Sequence, residues 1–108
     1  MEKTLSFIDN FGFSSFSLMD SDGLPILESA KGIDPAVYNV SELFFKFFES
    51  RVNSSYISWS SANNRFVALL VEKKYLFIGQ LSEKEPMTKI LYNIESLKSA
   101  CSGYLRAQ

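Results

Sequence analysis

The stretch RFVALLVEKKYLFIGQL, residues 65–81, consists of two apolar segments joined by a pair of lysines. Successive side chains of a β-strand point to opposite faces of the sheet, so a strand that is apolar at nearly every position is covered on both faces. Residues 65–72 and 75–81 both have this composition, and Lys73 and Lys74 suit the turn between them. The stretch therefore predicts two neighbouring central strands in a sheet that is covered on both sides.

A third strand precedes this pair along the chain. Residues 56–61, YISWSS, have the composition of a strand, and Asn63 and Asn64 suit a tight turn into the next segment. The three segments together predict an antiparallel meander. Because residues 56–61 begin the meander, we expect them to form an edge strand, whose outer backbone groups are either protected or used for pairing.

A separate hairpin is predicted nearer the N-terminus. Residues 13–19, FSSFSLM, are typical of a strand, and DSDG at residues 20–23 is typical of a turn. Residues 24–30, LPILESA, are predicted to return as the second strand. Pro25 has no backbone N–H to donate, so we expect this second strand to lie at an edge of the sheet.

Strict alternation assigns the side chains of the first strand to the two faces of the sheet. Phe16 and Leu18 should share one face, and Phe13 and Met19 should share the other. The first strand is thus predicted to contribute apolar side chains to both sides of the sheet.

Two longer segments have helical patterns. One helix is predicted at about residues 35–52, where Pro35 suits the first helical position. Another is predicted at about residues 85–105, where Ser82 and Glu85 match a capping box. The first of these helices lies between the predicted hairpin and the predicted meander, and the second follows the meander.

The N-terminal residues 2–10 give at most a short helix, so the element order is (α)-β-β-α-β-β-β-α. This order belongs to the α/β (α+β) class, and the 108 residues are expected to form a single domain spanning 1–108.

The two helices differ in the width of their apolar surface. At 100° per residue, the apolar side chains of the C-terminal helix span about 140°, which is ordinary for a helix that lies on a sheet. Those of the middle helix, with four phenylalanines in residues 44–48, span about 220°. A single sheet face does not easily cover that arc, so either another element of the chain or a protein partner must cover the rest. We favour the partner.

Composition excludes several classes of function. The net charge is −1, so the chain has no basic field to attract nucleic acid. The apolar runs are too short for direct membrane insertion, and the N-terminus lacks the hydrophobic run of a secretory signal. The single cysteine, Cys101, cannot form an internal disulfide. We therefore expect a cytoplasmic protein.

The residues needed for catalysis are missing or badly placed. Histidine is absent, which removes Ser-His-Asp triads, Cys-His pairs and histidine metal sites. Cys101 falls on the apolar stripe of the last helix, where an inert thiol is expected. Asp20 and Asp22 begin like a calcium loop, but the later ligands of that motif are missing. The sequence predicts no enzyme, no cofactor and no metal site.

Residues 11–29, FGFSSFSLMDSDGLPILES, combine a glycine, an apolar strand, an acidic D-x-D-G turn and an L-P-I strand. This pattern resembles the opening of the Roadblock / dynein light chain family. Residues 65–81 resemble the last hairpin of that family, and the helix that follows Pro86 resembles its C-terminal helix. The resemblance extends from about Leu5 to Leu105.

The resemblance implies a five-stranded antiparallel sheet with the middle helix on one face and the terminal helices on the other, a roadblock or profilin-like arrangement. Members of the family typically dimerise through the middle helix and the first strand of the meander. They commonly act as non-catalytic scaffolds or regulators of Ras-like small GTPases, or as subunits of motor and signalling complexes. The residues that match this interface by position are Val37, Tyr38, Ser41, Phe44, Phe45, Phe48, Val52, Tyr56, Ile57 and Trp59.

With that interface in view, we expect the middle helix to present two apolar sides. Val40, Leu43 and Phe47 should lie on the sheet of their own subunit. Phe45 and Phe48 should meet a second subunit, which is either another copy of the chain or a roadblock paralogue.

Three functional hypotheses remain open. The first is a dimeric interaction module that regulates or scaffolds a small GTPase or a motor or signalling complex. The second is a longin-like adaptor in trafficking or complex assembly, because the first helix is shorter than is usual in the roadblock family; it predicts that residues 3–11 begin the sheet. The third is a small-molecule sensor, because related sheet folds can enclose ligands.

Overall fold

A computed structural model describes residues 11–29, 41–50, 56–61, 64–82 and 86–107. In these ranges the chain forms five strands and three helices. In chain order they are β1 (Phe13–Met19), β2 (Pro25–Glu28), α1 (Ser41–Ser50), β3 (Ile57–Ser61), β4 (Asn64–Val71), β5 (Tyr75–Leu81), α2 (Met87–Tyr92) and α3 (Ile94–Arg106).

The strands form one antiparallel sheet with the order β2-β1-β5-β4-β3. The predicted hairpin and meander are both confirmed, and the two-sided apolar segments of residues 65–81 are the neighbours β4 and β5. The strand that contains Pro25 is an edge strand, as its missing N–H requires. The other edge is β3. Pairing of β1 with β5 joins the hairpin to the meander.

The sheet divides the buried side chains into two groups. On one face, Val67 and Leu69 of β4 and Phe77 of β5 pack with buried residues of α2 and α3. On the other face, Ala68 of β4 and Ile78 of β5 pack with α1. The fold is therefore α+β with the middle helix on one face and the C-terminal helices on the other, as predicted. Residues 2–10 lie outside the described residues.

Phe13 does not lie where strict alternation predicted. It belongs to the same buried group as Phe16, and their rings lie 5.3 and 5.8 Å from that of Phe77. The pairing of β1 with β5 shifts register between Phe13 and Ser15. An extra residue in a bulge reverses the facing of everything before it, so the expectation for Phe13 was wrong. Met19 lies on the α1 face, opposite Phe16, as expected.

The C-terminal helix is interrupted, although the apolar pattern predicted one continuous helix. Asn93 separates α2 from α3, with φ −105° and ψ 17°. Its side-chain amide donates a hydrogen bond to the carbonyl of Lys89 at 2.8 Å, so the side chain offers the backbone a local alternative to helix. The buried stripe nevertheless continues across the break, through Ile90, Ile94 and Leu97 to Cys101.

Ser82 has a different role from the predicted cap. Its backbone N–H and its hydroxyl both donate to the carbonyl of Gly12, at 3.0 and 3.1 Å. The first helix after it begins at Met87, with Pro86 at the capping position and no side-chain cap. Ser82 therefore ties the end of β5 to the residue before β1, and Glu85 lies outside the described residues.

The acidic turn between β1 and β2 is held by its own side chain. The Asp20 carboxylate accepts hydrogen bonds from the backbone N–H groups of Asp22 and Leu24, at 2.9 and 3.0 Å. Gly23 has φ 83°, a conformation that glycine adopts without a side-chain clash. Asp20 is thus used as a turn residue, which explains the D-x-D-G pattern by folding alone.

In the described parts of the chain, no helix is both long enough and apolar enough to cross a bilayer.

Two glycines provide a paired test of the packing. A Cβ added at Gly79 would lie 2.5 Å from two ring carbons of Phe13, whereas a Cβ at Gly103 on α3 would meet nothing within 4 Å. We expect Gly79→Ala to lower the free energy of unfolding by about 1–3 kcal/mol through overpacking. Gly103→Ala should raise it by about 0.5–1 kcal/mol through helix propensity. Urea denaturation of both variants at one protein concentration measures these changes. Equal changes in the free energy of unfolding would contradict the close contact between Gly79 and Phe13.

Candidate interaction surface on α1 and β3

Among residues 43–48 of α1, whose side-chain burial the structure describes, one ring is deeply buried. Phe48 is 4% exposed and lies in the buried group of the α1 face. Full burial of a side chain of this size contributes about 1.5–3 kcal/mol. The other buried members of the group are Met19, Phe66, Ala68, Leu76 and Ile78. Phe48 is therefore the side chain that fixes which way α1 faces the sheet.

The two sides of α1 are reversed relative to the sequence-based expectation. Leu43, which was expected to lie on the sheet, is 63% exposed. Phe48, which was expected to meet a second subunit, is buried on its own sheet and has almost no surface left to offer a partner. The sequence gives the width of the apolar arc, but it does not tell which part of the arc faces the sheet, because both ends of the arc carry apolar side chains. That is why the sequence alone assigned these two residues wrongly.

A run of aromatic rings in contact connects α1 to the edge of the sheet. The ring centroid of Phe44 on α1 lies 4.8 Å from that of Trp59 on β3. Trp59 in turn stacks on Phe66 of β4, at 5.0 Å with 15° between the ring planes. Aromatic pairs at these distances contribute about 0.5–1.5 kcal/mol each beyond the area that they bury. Trp59 is thus placed between the helix and the neighbouring strand.

The surface that α1 leaves uncovered lies beside this run. At 100° per residue, Phe48 is about 40° to one side of Phe44, whereas Phe47 and Leu43 are about 60° and 100° to the other side. Phe44 contacts β3, so Leu43 and Phe47 lie on the flank of the helix that is turned away from Phe48. Phe44, Phe45 and Phe47 are half-buried, and Lys46 is exposed. An apolar strip therefore runs along the outer side of α1.

Edge strand β3 extends this strip. Ile57 and Trp59 are half-buried on the α1 face, whereas Ser58 and Ser60 are exposed on the opposite face. Among the described residues β3 has a single neighbour, β4. Unlike β2, it contains no proline that would interrupt a further ladder. We call the exposed parts of Leu43 and Phe47 together with β3 the α1–β3 surface.

The structure brings together part of the predicted interface set. Phe44, Phe45, Ile57 and Trp59 are each partly buried and pack against the buried group of the α1 face. Tyr56 precedes β3 and is 38% exposed.

The remaining members of the set give less information. Ser41 is the first residue of α1. Val37, Tyr38 and Val52 lie outside the described residues. Leu43 belongs to the α1–β3 surface although sequence reasoning had turned it inward. Phe47, which was expected on the sheet, is half-buried and packs against the buried group of the α1 face.

A polar row borders the aromatic run on the same face of the sheet. The Ser15 hydroxyl donates to the Gln80 side-chain oxygen at 3.4 Å, and the Gln80 side-chain amide donates to the Asn64 side-chain oxygen at 3.1 Å. Phe66 lies opposite Gln80 in the ladder between β4 and β5. Because these polar groups bond one another, they are poor candidates for recognising a small molecule.

Cys101 is unsuited to nucleophilic chemistry. It is fully buried in α3, and burial raises the pKa of its thiol from 9.0 to about 12. The reactive thiolate is therefore scarce at neutral pH.

The raised pKa of Cys101 has a consequence for stability. The folded state holds the thiol proton more tightly than the unfolded state, so this contribution is present below pH 9 and is lost as the pH rises from 9 towards 12. We expect the free energy of unfolding to fall above pH 9 by about 1.4 kcal/mol per pH unit from this group. Urea denaturation at pH 8 and 10 should show that loss in the wild type beyond any loss in Cys101→Ala. Equal losses in the two proteins would contradict it.

No family model and no curated protein matches the chain. Solved structures do match it. MglB from Thermus thermophilus, described as a gliding protein, has a TM-score of 0.75 at 9% identity, covering 99% of this chain and 91% of that one. The Roadblock/LC7 domain from Streptomyces avermitilis has a TM-score of 0.63 at 8% identity, covering 91% and 93%. Profilin IB from Acanthamoeba castellanii has a TM-score of 0.62 at 13% identity, covering 90% of each chain.

These similarities span nearly the whole of each chain, and at such low identity they concern the fold. They agree with the strand order, with the separation of α1 from the C-terminal helices, and with the sequence pattern of residues 11–29. The chain has a roadblock-type fold.

Proposed function

We propose that this chain is a non-catalytic interaction module that associates through the α1–β3 surface, with a second copy of itself or with a paralogue of the same fold. The associated form would bind a Ras-like small GTPase, or a motor or signalling complex, and regulate or scaffold it. The observation that carries the proposal is the exposure of Leu43, at 63%, on a helix whose Phe44 contacts Trp59 of edge strand β3.

The chemistry of the α1–β3 surface favours a protein partner of similar shape. It combines an apolar helix flank with a strand edge that lacks proline, so it can bury side chains and extend a β-ladder at the same time. In a two-fold arrangement each contact occurs twice, so covering Leu43 in both copies would bury two leucines. Full burial of one leucine contributes about 1.5–3 kcal/mol.

The proposed GTPase role rests on the fold and on the sequence resemblance. A roadblock-type fold raises the expectation of such a partner without proving it, because one fold can host many functions. The lack of histidine and the inert Cys101 support a role without catalysis by this chain. A cytoplasmic location is part of the same proposal.

The two alternative hypotheses keep less support. The longin-like adaptor depends on residues 3–11, of which 3–10 lie outside the described residues. The sensor needs convergent polar groups that face a ligand, and the polar row around Gln80 is bonded to itself.

A matched pair of leucines tests the association. Leu43 and Leu24 are exposed to nearly the same extent, 63% and 62%, but Leu24 lies in the turn between β1 and β2, far along the chain from the α1–β3 surface. We expect the wild type and Leu24→Glu to be dimeric at micromolar concentration by light scattering. Leu43→Glu should weaken the dimer by at least about tenfold, because a buried unpaired charge is costly.

Sedimentation velocity over a dilution series gives the dissociation constants of all three proteins. A wild type that remains monomeric across the series would reject self-association. Equal dissociation constants for the two glutamate variants would reject the α1–β3 surface as the interface.

The GTPase part is tested separately by affinity capture with the wild-type protein in the presence of either GDP or a non-hydrolysable GTP analogue. We expect one captured protein to carry a G-x-x-x-x-G-K-S/T phosphate loop and to bind differently in the two nucleotide states. Capture by Leu43→Glu shows whether that binding needs the associated form. If proteins with this loop are enriched in neither nucleotide state, the GTPase part of the proposal is wrong.

A further inference from the structure

We propose that one end of the sheet is a second contact surface, through which two copies of this chain bind each other end to end. The surface consists of the β1–β2 turn, residues 20–24, and the β4–β5 turn, residues 72–74. We call these two turns together the turn end. The proposal goes beyond the association through the α1–β3 surface and does not depend on it.

The pairing of the strands places the two turns side by side. Met19 of β1 is paired with Pro25 of β2 on one side and with Leu76 of β5 on the other. Both turns therefore leave the sheet at the same end. Because neighbouring strands lie about 4.8 Å apart, the centres of the two turns are about 10 Å apart.

The two turns carry opposite charges. Asp20 and Asp22 place two carboxylates on the β1–β2 turn, and Lys73 and Lys74 place two ammonium groups on the β4–β5 turn. Asp22 and both lysines are exposed. Within the described ranges, no ion pair joins one turn to the other. These charges are therefore open to a partner.

Glu72 does not cancel the positive charge of the β4–β5 turn. Its carboxylate accepts a hydrogen bond from the guanidinium of Arg106, at 3.2 Å, and the two groups form an ion pair. The charges of Glu72 and Arg106 thus offset each other. The lysines leave this turn basic beside its acidic neighbour.

The backbone of the β4–β5 turn does not favour the residues that it carries. Glu72 and Lys73 have φ of 55° and 62°, in the left-handed region that glycine and asparagine adopt most readily. Tight turns with this backbone between two strands prefer Asn-Gly. Local folding preference does not account for two charged residues here, and backbone strain of this kind is concentrated at functional sites.

An exposed leucine belongs to the acidic turn. Leu24 is 62% exposed, and its backbone N–H donates to the Asp20 carboxylate at 3.0 Å, so its backbone is held at the turn end. Lysine side chains have apolar stems that can cover such a residue while their ammonium groups reach a carboxylate. A turn with two lysines is therefore suited to cover both the leucine and the acidic groups.

A second copy of the chain offers the matching surface. A two-fold axis that is normal to the sheet and passes between the two turns exchanges their positions. The acidic turn of each copy then faces the basic turn of the other, and each contact occurs twice. A partner with a single sign of charge would be attracted by one turn and repelled by the other, which favours a second copy as the occupant.

The contact is expected to be weak and sensitive to salt, because exposed ion pairs contribute little and are screened by ions. It should therefore form at protein concentrations well above those at which the α1–β3 surface associates. A protein with both contacts would form rows of dimers. A protein that lacks the α1–β3 contact would form end-to-end pairs only.

Sedimentation velocity of the full chain tests the contact, at protein concentrations up to about 1 mM. Ionic strengths of about 10 mM and about 1 M give screening lengths of about 30 and 3 Å. At the lower ionic strength, we expect the wild type to exceed the mass of a dimer and Leu43→Glu to approach it. At the higher ionic strength, this additional association should be lost.

Charge reversals in the Leu43→Glu background test the two turns one at a time. Asp22→Lys and Lys74→Glu should each weaken low-salt association by about tenfold, because each substitution acts twice in a two-fold contact. Lys89→Glu is the matched control for Lys74→Glu, since both lysines are exposed and the change in net charge is the same. Arg106 marks the turn end of α3, and Lys89 lies about 25 Å before it along the helices.

A mixture of the two reversed variants gives the sharpest result. Asp22→Lys keeps an intact basic turn and Lys74→Glu keeps an intact acidic turn, so an attractive contact returns between unlike copies. We expect the mixture to associate at least about threefold more tightly than either variant alone. Recovery in the mixture would also show that both variants are folded.

Three outcomes would overturn the proposal. The first is a mass that does not change with ionic strength in either the wild type or Leu43→Glu. The second is an equal dissociation constant for Lys74→Glu and Lys89→Glu, and the third is a mixture that associates no more tightly than its components. If the α1–β3 association alone is wrong, the wild type still forms end-to-end pairs at low salt, so the two proposals fail separately.

Discussion

The central strand pair β4–β5 carries apolar side chains on both faces, and the rest of the chain is arranged to keep water from them. Val67 and Phe77 point to one side and Ala68 and Ile78 to the other, all of them buried. Two strands that are apolar on both faces must be covered on both faces. They therefore need neighbouring strands at their edges and helices above and below the sheet. The hairpin β1–β2, strand β3 and the three described helices meet that need.

The two faces are covered by different helices. The C-terminal helices close one face with a continuous buried stripe. On the other face, α1 buries Phe48, contacts edge strand β3 through Phe44, and leaves Leu43 in solvent. An exposed leucine on a helix that contacts an edge strand is apolar surface that another chain can cover.

The chemical groups of the chain agree with a role of this type. Asp20 holds a turn, Ser82 ties β5 to the start of β1, and the Ser15–Gln80–Asn64 row is bonded to itself. These polar side chains, which an active site or a ligand site could have used, are committed to holding the fold. Among the described residues, Leu43 of α1 is a large apolar side chain that is exposed, and apolar surface is what proteins use to bind each other.

The amino-acid sequence by itself determined the strands and turns, the edge position of the Pro25 strand, and the excess apolar width of the middle helix. These features follow from local rules: alternation along a strand, the missing N–H of proline, and 100° per helical residue. Phe13 does not follow these rules, because a bulge in the pairing of β1 with β5 places it on the other face of the sheet. The helix break at Asn93 was not predicted either, because it involves a hydrogen bond to the carbonyl of Lys89 that an apolar pattern does not reveal.

The tertiary structure decided how α1 is rotated about its own axis, and so which apolar side chains remain for a partner. An arc of about 220° contains several orientations of similar hydrophobicity, and the sequence does not rank them. Contacts with β3 and β4 do rank them, because Phe48 fits among the buried residues of the sheet while Phe44 contacts the ring of Trp59. The wide apolar helix was visible in the sequence, but the surface it offers exists only once the helix rests on the sheet.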